Sequence, residues 1–494
     1  MTTATLTSAR PQLADPSLLR EAALIGGEWL QAPAGGGIEV TSPADGGLVG
    51  RVPACGTSET EAAIAAANAA WGDWKARTAH ERAAIVERWH ALIIENSDDL
   101  ARIMTAEQGK PFAEAQGEIR YAASFVKWFA EEGRRVSGHT VAAPERNRRI
   151  IVLSEPIGVS AAITPWNFPA AMITRKCSPA LAAGCTVVIK PSELTPFTAI
   201  ALVELARRAG FPDGTINLVT GLPGEIGAAI TSSPIVRKLS FTGSTRVGSL
   251  LMEQSARTIK KLSLELGGNA PLLVFEDADL DLAVAATMAS KFRNSGQTCV
   301  CANRIFVADA IYDDFAGRLA KAVSALHAAP GMEAGSTMGP LINAAAVTKV
   351  KSHYEDALAH GAKLLATGSG RDDGNFVHSM LMTGATPEMR LASEETFGPL
   401  AALFRFGSED EAIAMANDTP YGLASYFYTR DLSRAFRVAE RLETGMVALN
   451  TGGMAMEVSP FGGIKQSGLG REGGREGIEE YLEAKTFHIG GLEI

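Results

Sequence analysis

Apolar and polar positions follow two distinct periods along this chain, and the switches between them mark its elements. Leu24-Ile25-Gly26-Gly27-Glu28-Trp29 and Ile38-Glu39-Val40 read as short strands separated by a glycine-rich turn. The first twenty or so residues show no periodicity and read as a loose arm. Near Ser58 the period lengthens to that of helices. Thr60 to Trp74 is alanine-rich, and apolar residues step by three and four from Ala79 to Gln108, where Gly109-Lys110-Pro111 predicts a stop. A third helix, about Ala113 to Arg134, carries Tyr121, Phe125 and Phe129 at four-residue spacing, an aromatic stripe expected to face the core. Ile150 to Ser154 and Val159 to Thr164 return to strand character before Pro165-Trp166-Asn167-Phe168-Pro169.

Strands and helices then take turns. Val187 to Lys190 precedes a helix from Pro196 to Ala209, Ile216 to Thr220 one near Glu225, and Lys238 to Phe241 one after Ser244. This alternation predicts an α/β fold with a parallel sheet covered on both faces. A second alternating block runs from Pro271 to about Phe406, with Leu272 to Phe275 and Ile305 to Val307 as strands; Lys485 to Ile489 reads as a strand in the tail. At 494 residues the chain exceeds one simple core, so two or three domains are expected. Its net charge of -9 argues against nucleic acid or an anionic membrane as partner. No apolar run is long enough to span a bilayer, and the N-terminal stretch lacks the apolar block of a signal peptide. Five cysteines, an odd number, predict no disulfide framework and a reducing, cytoplasmic setting. The histidines have no metal-ligand spacing, so no metal is expected, and His353 and His360 are read onto a solvated helix face.

Candidate chemistry concentrates at Gly296-Gln297-Thr298-Cys299-Val300-Cys301. A cysteine attacks as its thiolate, and at an unperturbed pKa near 8.5 roughly a tenth or less is ionised at neutral pH. Helix-terminal amides or a cation such as Arg293 would raise that fraction. A cysteine is often just a small buried hydrophobe, but the preceding run from Lys291 to Gln297 is too polar for ordinary core packing. Phe241-Thr242-Gly243-Ser244-Thr245-Arg246-Val247-Gly248 joins a strand to a helix whose free amides suit a pyrophosphate. Its G-x-T-x-x-G lacks the middle glycine of the dinucleotide fingerprint, so a plain turn reads as well. The acid about twenty residues on is Glu265, which the usual rule would assign to the ribose. It stands instead beside Leu266-Gly267-Gly268-Asn269, glycines that suit a chain passing close to a reacting centre. Lys190 and Glu193, at a strand's carboxyl end, are the alternative ribose ligands, leaving Glu265 free for chemistry.

Pro165-Trp166-Asn167-Phe168-Pro169, Gly243-Ser244-Thr245, Glu265-Leu266-Gly267-Gly268, Gly296-Gln297-Thr298-Cys299 and Glu395-Thr396-Phe397-Gly398-Pro399 stand in an order that resembles the aldehyde dehydrogenase superfamily. The resemblance covers about Ile25 to Leu492. Phe292-Arg293-Asn294, Cys299 to Arg304 and Phe461 to Gly468 resemble its succinate-semialdehyde dehydrogenase branch. It implies a Rossmann-type cofactor domain (1–143 and 157–267), a catalytic domain (268–470) and a bridging β element (144–156 and 471–494) whose exposed strands would join a homodimer or homotetramer. It also implies roles. Cys299 attacks the aldehyde, the Asn167 amide and the Cys299 N–H hold the oxyanion, and Glu265 activates water. Glu395 and Phe397 position the nicotinamide ribose and ring. Thr164, Pro165, Trp166, Gly243, Ser244, Gly248 and Leu266 complete the cofactor cleft.

A 2′-phosphate would lie near Glu193. Two unit charges about 4 Å apart at an effective dielectric near 20 interact by about 4 kcal/mol, less with screening, so NAD is expected over NADP. By the same resemblance Arg175 and Arg293 bind a remote substrate carboxylate, a task suited to a guanidinium fork. Ala455 departs from the branch by standing where a serine would assist. Succinic semialdehyde is the first substrate expected, with glutaric semialdehyde or another short anionic aldehyde as alternatives. A cofactor-independent thiol esterase and a non-catalytic binding protein are the other classes weighed. Cys301 is either a redox partner for Cys299 or an inert neighbour.

Overall fold

The computed structural model describes residues 8–33 and 36–493. Its largest sheet runs, in spatial order, Glu28–Gln31, Ala22–Ile25, Ile216–Leu218, Thr186–Lys190, Val159–Ile163, Val236–Thr242, Lys261–Glu265 and Gly468–Leu469. The five strands from Ile216–Leu218 to Lys261–Glu265 are mutually parallel. Numbered by chain order they stand 3-2-1-4-5, so the winding direction reverses between Val159–Ile163 and Val236–Thr242. Chain ends diverge at such a switch point and leave a crevice above the strands' carboxyl ends.

A second sheet takes Lys363–Thr367, Met380–Thr383, Leu400–Phe406, Ala302–Ala308, Ala270–Val274, Ala424–Tyr428 and Met446–Leu449 in that order, all parallel except the first. Its central strands are buried throughout, in keeping with their largely apolar sequences. A third sheet pairs Leu482–Ile489 with Arg149–Pro156 and His139–Val141, and leaves Val141, Leu153 and Phe487 exposed. No helix among the described residues is long and apolar enough to cross a membrane.

Three expectations change. The helix expected from Ala79 to Gln108 is two, Ala79–Glu95 and Ser97–Gln108. The break falls at Asn96, whose Nδ2 donates to Leu92 O at 2.8 Å, a side-chain bond that competes with the helix ladder. The arm is not loose over residues 8–20: Ala14 and Asp15 N–H groups donate to Asp99, and Leu18 is fully buried. Residues 1–7 lie outside the described residues. His353 leaves the solvated face, whereas His360 is half exposed as expected. The His353 ring is buried between Thr396 Oγ1 and Glu394 Oε2, each at 3.2 Å. Desolvation lowers its pKa, so the ring is neutral and braces the segment that carries Glu395 and Phe397.

Candidate active site

Past Ile163 the chain crosses the crevice as residues 164–170 and enters the helix Ala171–Ala183. That helix's first amides, Ala170 and Ala171 N–H, donate to Glu118 Oε1 at 2.9 and 3.3 Å. Glu118 also pairs with Lys110 at 2.5 Å, and Lys110 Nζ donates to Asn167 O at 2.8 Å. The buried ion pair therefore ties the crossing loop to the helix Phe112–Gly133. Asn167 Nδ2 donates to Gln297 O at 3.0 Å. An amide nitrogen carries two hydrogens, so this bond fixes the plane and leaves the second free.

Cys299 arrives on a strained turn. Asn294 and Ser295 adopt φ of 51° and 55°, and Gly296 of 74°. Left-handed backbone costs roughly 1–2 kcal/mol per non-glycine residue, so the surroundings must enforce it. They do: Asn294 N–H donates to Glu114, Asn294 Oδ1 accepts from Gln108, and Ser295 Oγ donates to Gly339 O. A Cβ on Gly296 would lie 2.3 Å from Gly398 O, and one on Gly268 would lie 2.7 Å from Cys299 O. Among the described residues the Cys299 N–H has no hydrogen-bond partner.

A cavity of about 290 Å³ opens over this point. Pro165, Trp166, Asn167, Thr242, Gly243, Ser244, Leu266, Cys299, Glu395 and Phe397 line it. Trp166 and Phe397 meet edge to face at 5.6 Å. The thiolate expectation needs correcting. Burial pushes the Cys299 thiol up to about 12, and Arg175 and Arg293 only oppose it. The thiol is neutral in the protein alone, because dehydration outweighs the two cations.

Glu265 ends its strand buried, and neither carboxylate oxygen has a hydrogen-bond partner. A Cβ on Gly462 would lie 2.9 Å from Oε1. Burial and then the charge of Glu472 raise its pKa well above the usual carboxylate range, against the pull of Arg175, Lys176 and Arg471. Glu472 behaves oppositely. Burial works against its ionisation too, but Lys176 and Arg175 outweigh that and hold it at about 2. Arg175 is accordingly not the open fork expected. Its Nε donates to Glu472 at 2.6 Å, its Nη2 meets Met172 Sδ at 3.2 Å, and its guanidinium lies 4.1 Å over Phe461. Arg293 is exposed and lies 5.0 Å over the Phe168 ring. Ala455 is partly buried against the second core.

The crevice residues fit a nicotinamide dinucleotide. Thr164 Oγ1 is buried without a partner. Ser244 caps the helix Thr245–Ser255, leaving its other N-terminal amides for an anion. Gly248 packs closely on Leu266, since a Cβ there would sit 2.4 Å from Leu266 Cδ2 and displace that side chain. Lys190 donates to Glu193 at 2.8 Å at the neighbouring strand's end. Glu395 accepts from Gly268 N at 3.2 Å, and burial raises it to about 7. Cys301 faces away into the core, its Sγ 3.3 Å from Lys291 Nζ, and both thiols are free. Met172, Ala346 and Lys349 also line the cavity and were not read from the sequence. Lys349 and Ala346 lie on the amphipathic helix Ala344–Ala359, whose pattern carries no signal of a site.

The model for the aldehyde dehydrogenase family matches residues 29–487. The succinate-semialdehyde dehydrogenase [NADP(+)] of Escherichia coli is 59% identical, over 97% of this chain and 100% of that protein. The glutarate-semialdehyde dehydrogenase of Pseudomonas putida is 60% identical, over 97% of this chain and 99% of that protein. The crystal structure of succinate-semialdehyde dehydrogenase from Burkholderia pseudomallei superposes with a TM-score of 0.96 at 60% identity, covering 97% of this chain and all of that one.

Proposed function

Since the chain belongs to the aldehyde dehydrogenase family and has its fold and aldehyde dehydrogenase activity, we propose that it oxidises a short anionic aldehyde, succinic semialdehyde first. Glutaric semialdehyde is the second reading, favoured by Ala455, which cannot donate a hydrogen bond. The observation that carries the proposal is the convergence of Cys299, Asn167 and the cofactor-loop residues on one cavity, with Glu265 unpartnered behind it.

Cys299 loses its proton to solvent, its thiolate Sγ attacks the aldehyde carbon, and the C=O π electrons move onto the substrate oxygen to give an alkoxide. The free hydrogen of Asn167 Nδ2 and the unused Cys299 N–H are the two donors for that oxygen. One such donor is worth roughly 3 kcal/mol in the transition state. A bound nicotinamide dinucleotide would supply the hydride acceptor and a positive charge near the thiol, and loss of hydride from the tetrahedral carbon leaves Cys299 as a thioester. Thr164, Pro165, Trp166, Gly243, Ser244, Gly248, Leu266, Glu395 and Phe397 would hold it. Glu265 then takes a proton from water, which attacks the thioester and frees Cys299. A base that no hydrogen bond stabilises, with a pKa raised by burial well above the usual carboxylate range, suits this task.

NAD is the preferred cofactor in this reading, because Glu193 places a carboxylate beside Lys190 where NADP would bring a 2′-phosphate. The name of the Escherichia coli relative carries NADP, so cofactor choice is a point to measure. Arg293 with the remaining N–H groups of Arg175 holds the remote carboxylate. The domain partition given above and a dimer or tetramer joined through the exposed third sheet belong to the same proposal. Formation of reduced nicotinamide, followed with propanal and with semialdehydes of graded length, tests it. Equal kcat/KM for propanal and succinic semialdehyde would remove the anion-binding reading.

A further inference from the structure

Tyr121 belongs to the aromatic stripe expected to face the core, and only its ring does so. The ring packs edge-on against Phe125 with centroids 4.9 Å apart. The hydroxyl leaves that packing: its oxygen is buried with no hydrogen bond of ordinary length, the Arg175 guanidinium is near enough to act on it as a donor, and the O–H proton has no acceptor. Tyr121 lines a second cavity, of about 240 Å³, together with Lys110, Glu114, Glu118, Phe168 and Arg293. Phe168 separates this cavity from the one over Cys299, since it lines both. Burial raises the Tyr121 pKa, and the opposing influences are Arg175 and then Arg293, so both guanidinium groups lie within its electrostatic reach. The phenol is therefore protonated and a donor.

The charges around the cavity are not all available. Lys110 and Glu118 neutralise each other. Glu114 accepts from Asn294 N–H at 2.9 Å. Arg175 spends its Nε on Glu472. What remains free is mainly donors, Tyr121 O–H, Arg293 and the rest of Arg175, with the second Glu114 oxygen as the remaining acceptor. Leaving a buried hydroxyl unsatisfied costs about 1–3 kcal/mol, and an anionic acceptor is the complement that removes this cost.

We propose that the Tyr121 hydroxyl is a specificity-determining donor to the remote anionic group of the substrate, supplying the hydrogen bond that Ala455 cannot. This rests on the anionic-aldehyde reading above. It extends that reading by placing the third donor on a helix more than 300 residues away in sequence from the loop that holds Ala455.

The test uses the full-length enzyme at saturating cofactor, with succinic semialdehyde and its methyl ester, which keeps length and removes the charge. Tyr121→Phe retains the ring and its contact with Phe125. The expected result is a KM for the acid about tenfold higher, with kcat within about twofold and both constants for the ester unchanged. The acid-to-ester ratio is internal to each preparation, so partial misfolding cannot produce the change. An equal shift in KM for acid and ester would assign Tyr121 a purely structural role and overturn the proposal. An undiminished preference for the acid in the variant would overturn it as well. If the wild-type enzyme treats acid and ester alike, it is the anionic-aldehyde reading that fails.

Discussion

On one side of Cys299 the wall is made of short contiguous segments, residues 165–168, 242–244, 266–267 and 395–397, most of them at or just after the end of a strand. On the other side the lining is a set of side chains, Glu114, Glu118 and Tyr121 from one face of the helix Phe112–Gly133, with Lys110, Phe168 and Arg293 around them. The first wall is held by backbone and glycine contacts, such as Gly243 N–H on Glu265 O at 3.0 Å and Gly248 against Leu266. The second is held by side-chain charge: Lys110 on Glu118 and Arg175 on Glu472. A wall of backbone changes only if the fold changes. A wall of single side chains can be retuned by substitution, as Ala455 illustrates. Under the proposed function this difference separates a fixed cofactor side from an adjustable substrate side.

That division makes graded predictions. Changes at the seam should cost most. Cys299→Ala should lower reduced-nicotinamide formation by at least about 10⁴-fold with every aldehyde, and mass spectrometry should find no acyl adduct at position 299. Glu265→Gln should lower kcat by about 10²–10⁴-fold while preserving a burst of one reduced nicotinamide per site, because deacylation alone is blocked. The same residue sets a pH dependence. Its folded pKa lies above the usual value, so the native state holds the proton more tightly than the unfolded chain between the two pKa values. Activity should rise with pH through the folded pKa as the base forms. Stability should fall over the same range, and Glu265→Gln should melt higher than wild type at neutral pH and equally at pH 4, a difference scanning calorimetry would detect.

Changes on the substrate side should be smaller and selective. Arg293→Ala should raise KM for succinic semialdehyde by about 10–100-fold and leave propanal nearly unchanged. A uniform loss with both aldehydes would show that the second wall is as rigid as the first. The smallest effect is expected at the rim of the cofactor side. Glu193→Ser should shift the ratio of kcat/KM for NADP over NAD by about tenfold toward NADP, less than the unscreened Coulomb energy because Glu193 is partly exposed. An unchanged ratio would detach Glu193 from the ribose.

The two walls also differ in how readable they were. Each segment of the cofactor side is a local motif. Glycines, prolines and strand ends impose themselves within a few residues, so the strand–helix alternation could be anticipated, and the order of these motifs carried the family resemblance that implied the clustering of Asn167, Ser244, Leu266, Cys299 and Glu395. The charged side could not. Periodicity assigned Tyr121 to the core, correctly for its ring, but a hydroxyl's partner is a matter of what lies opposite. His353 looked solvated because its helix is polar, and only the packed segment at Glu394 and Thr396 buries it. Arg175 looked like a free fork because Glu472 is 297 residues distant.

By itself the sequence determined the α/β alternation, the turns that demand glycine, and which residues have reactive side chains, because these depend on local sterics and covalent chemistry. The tertiary structure decided which of those groups are ionised, paired or free. Desolvation and charge coupling depend on everything within several ångströms in space, and neighbours in space are not neighbours in the chain.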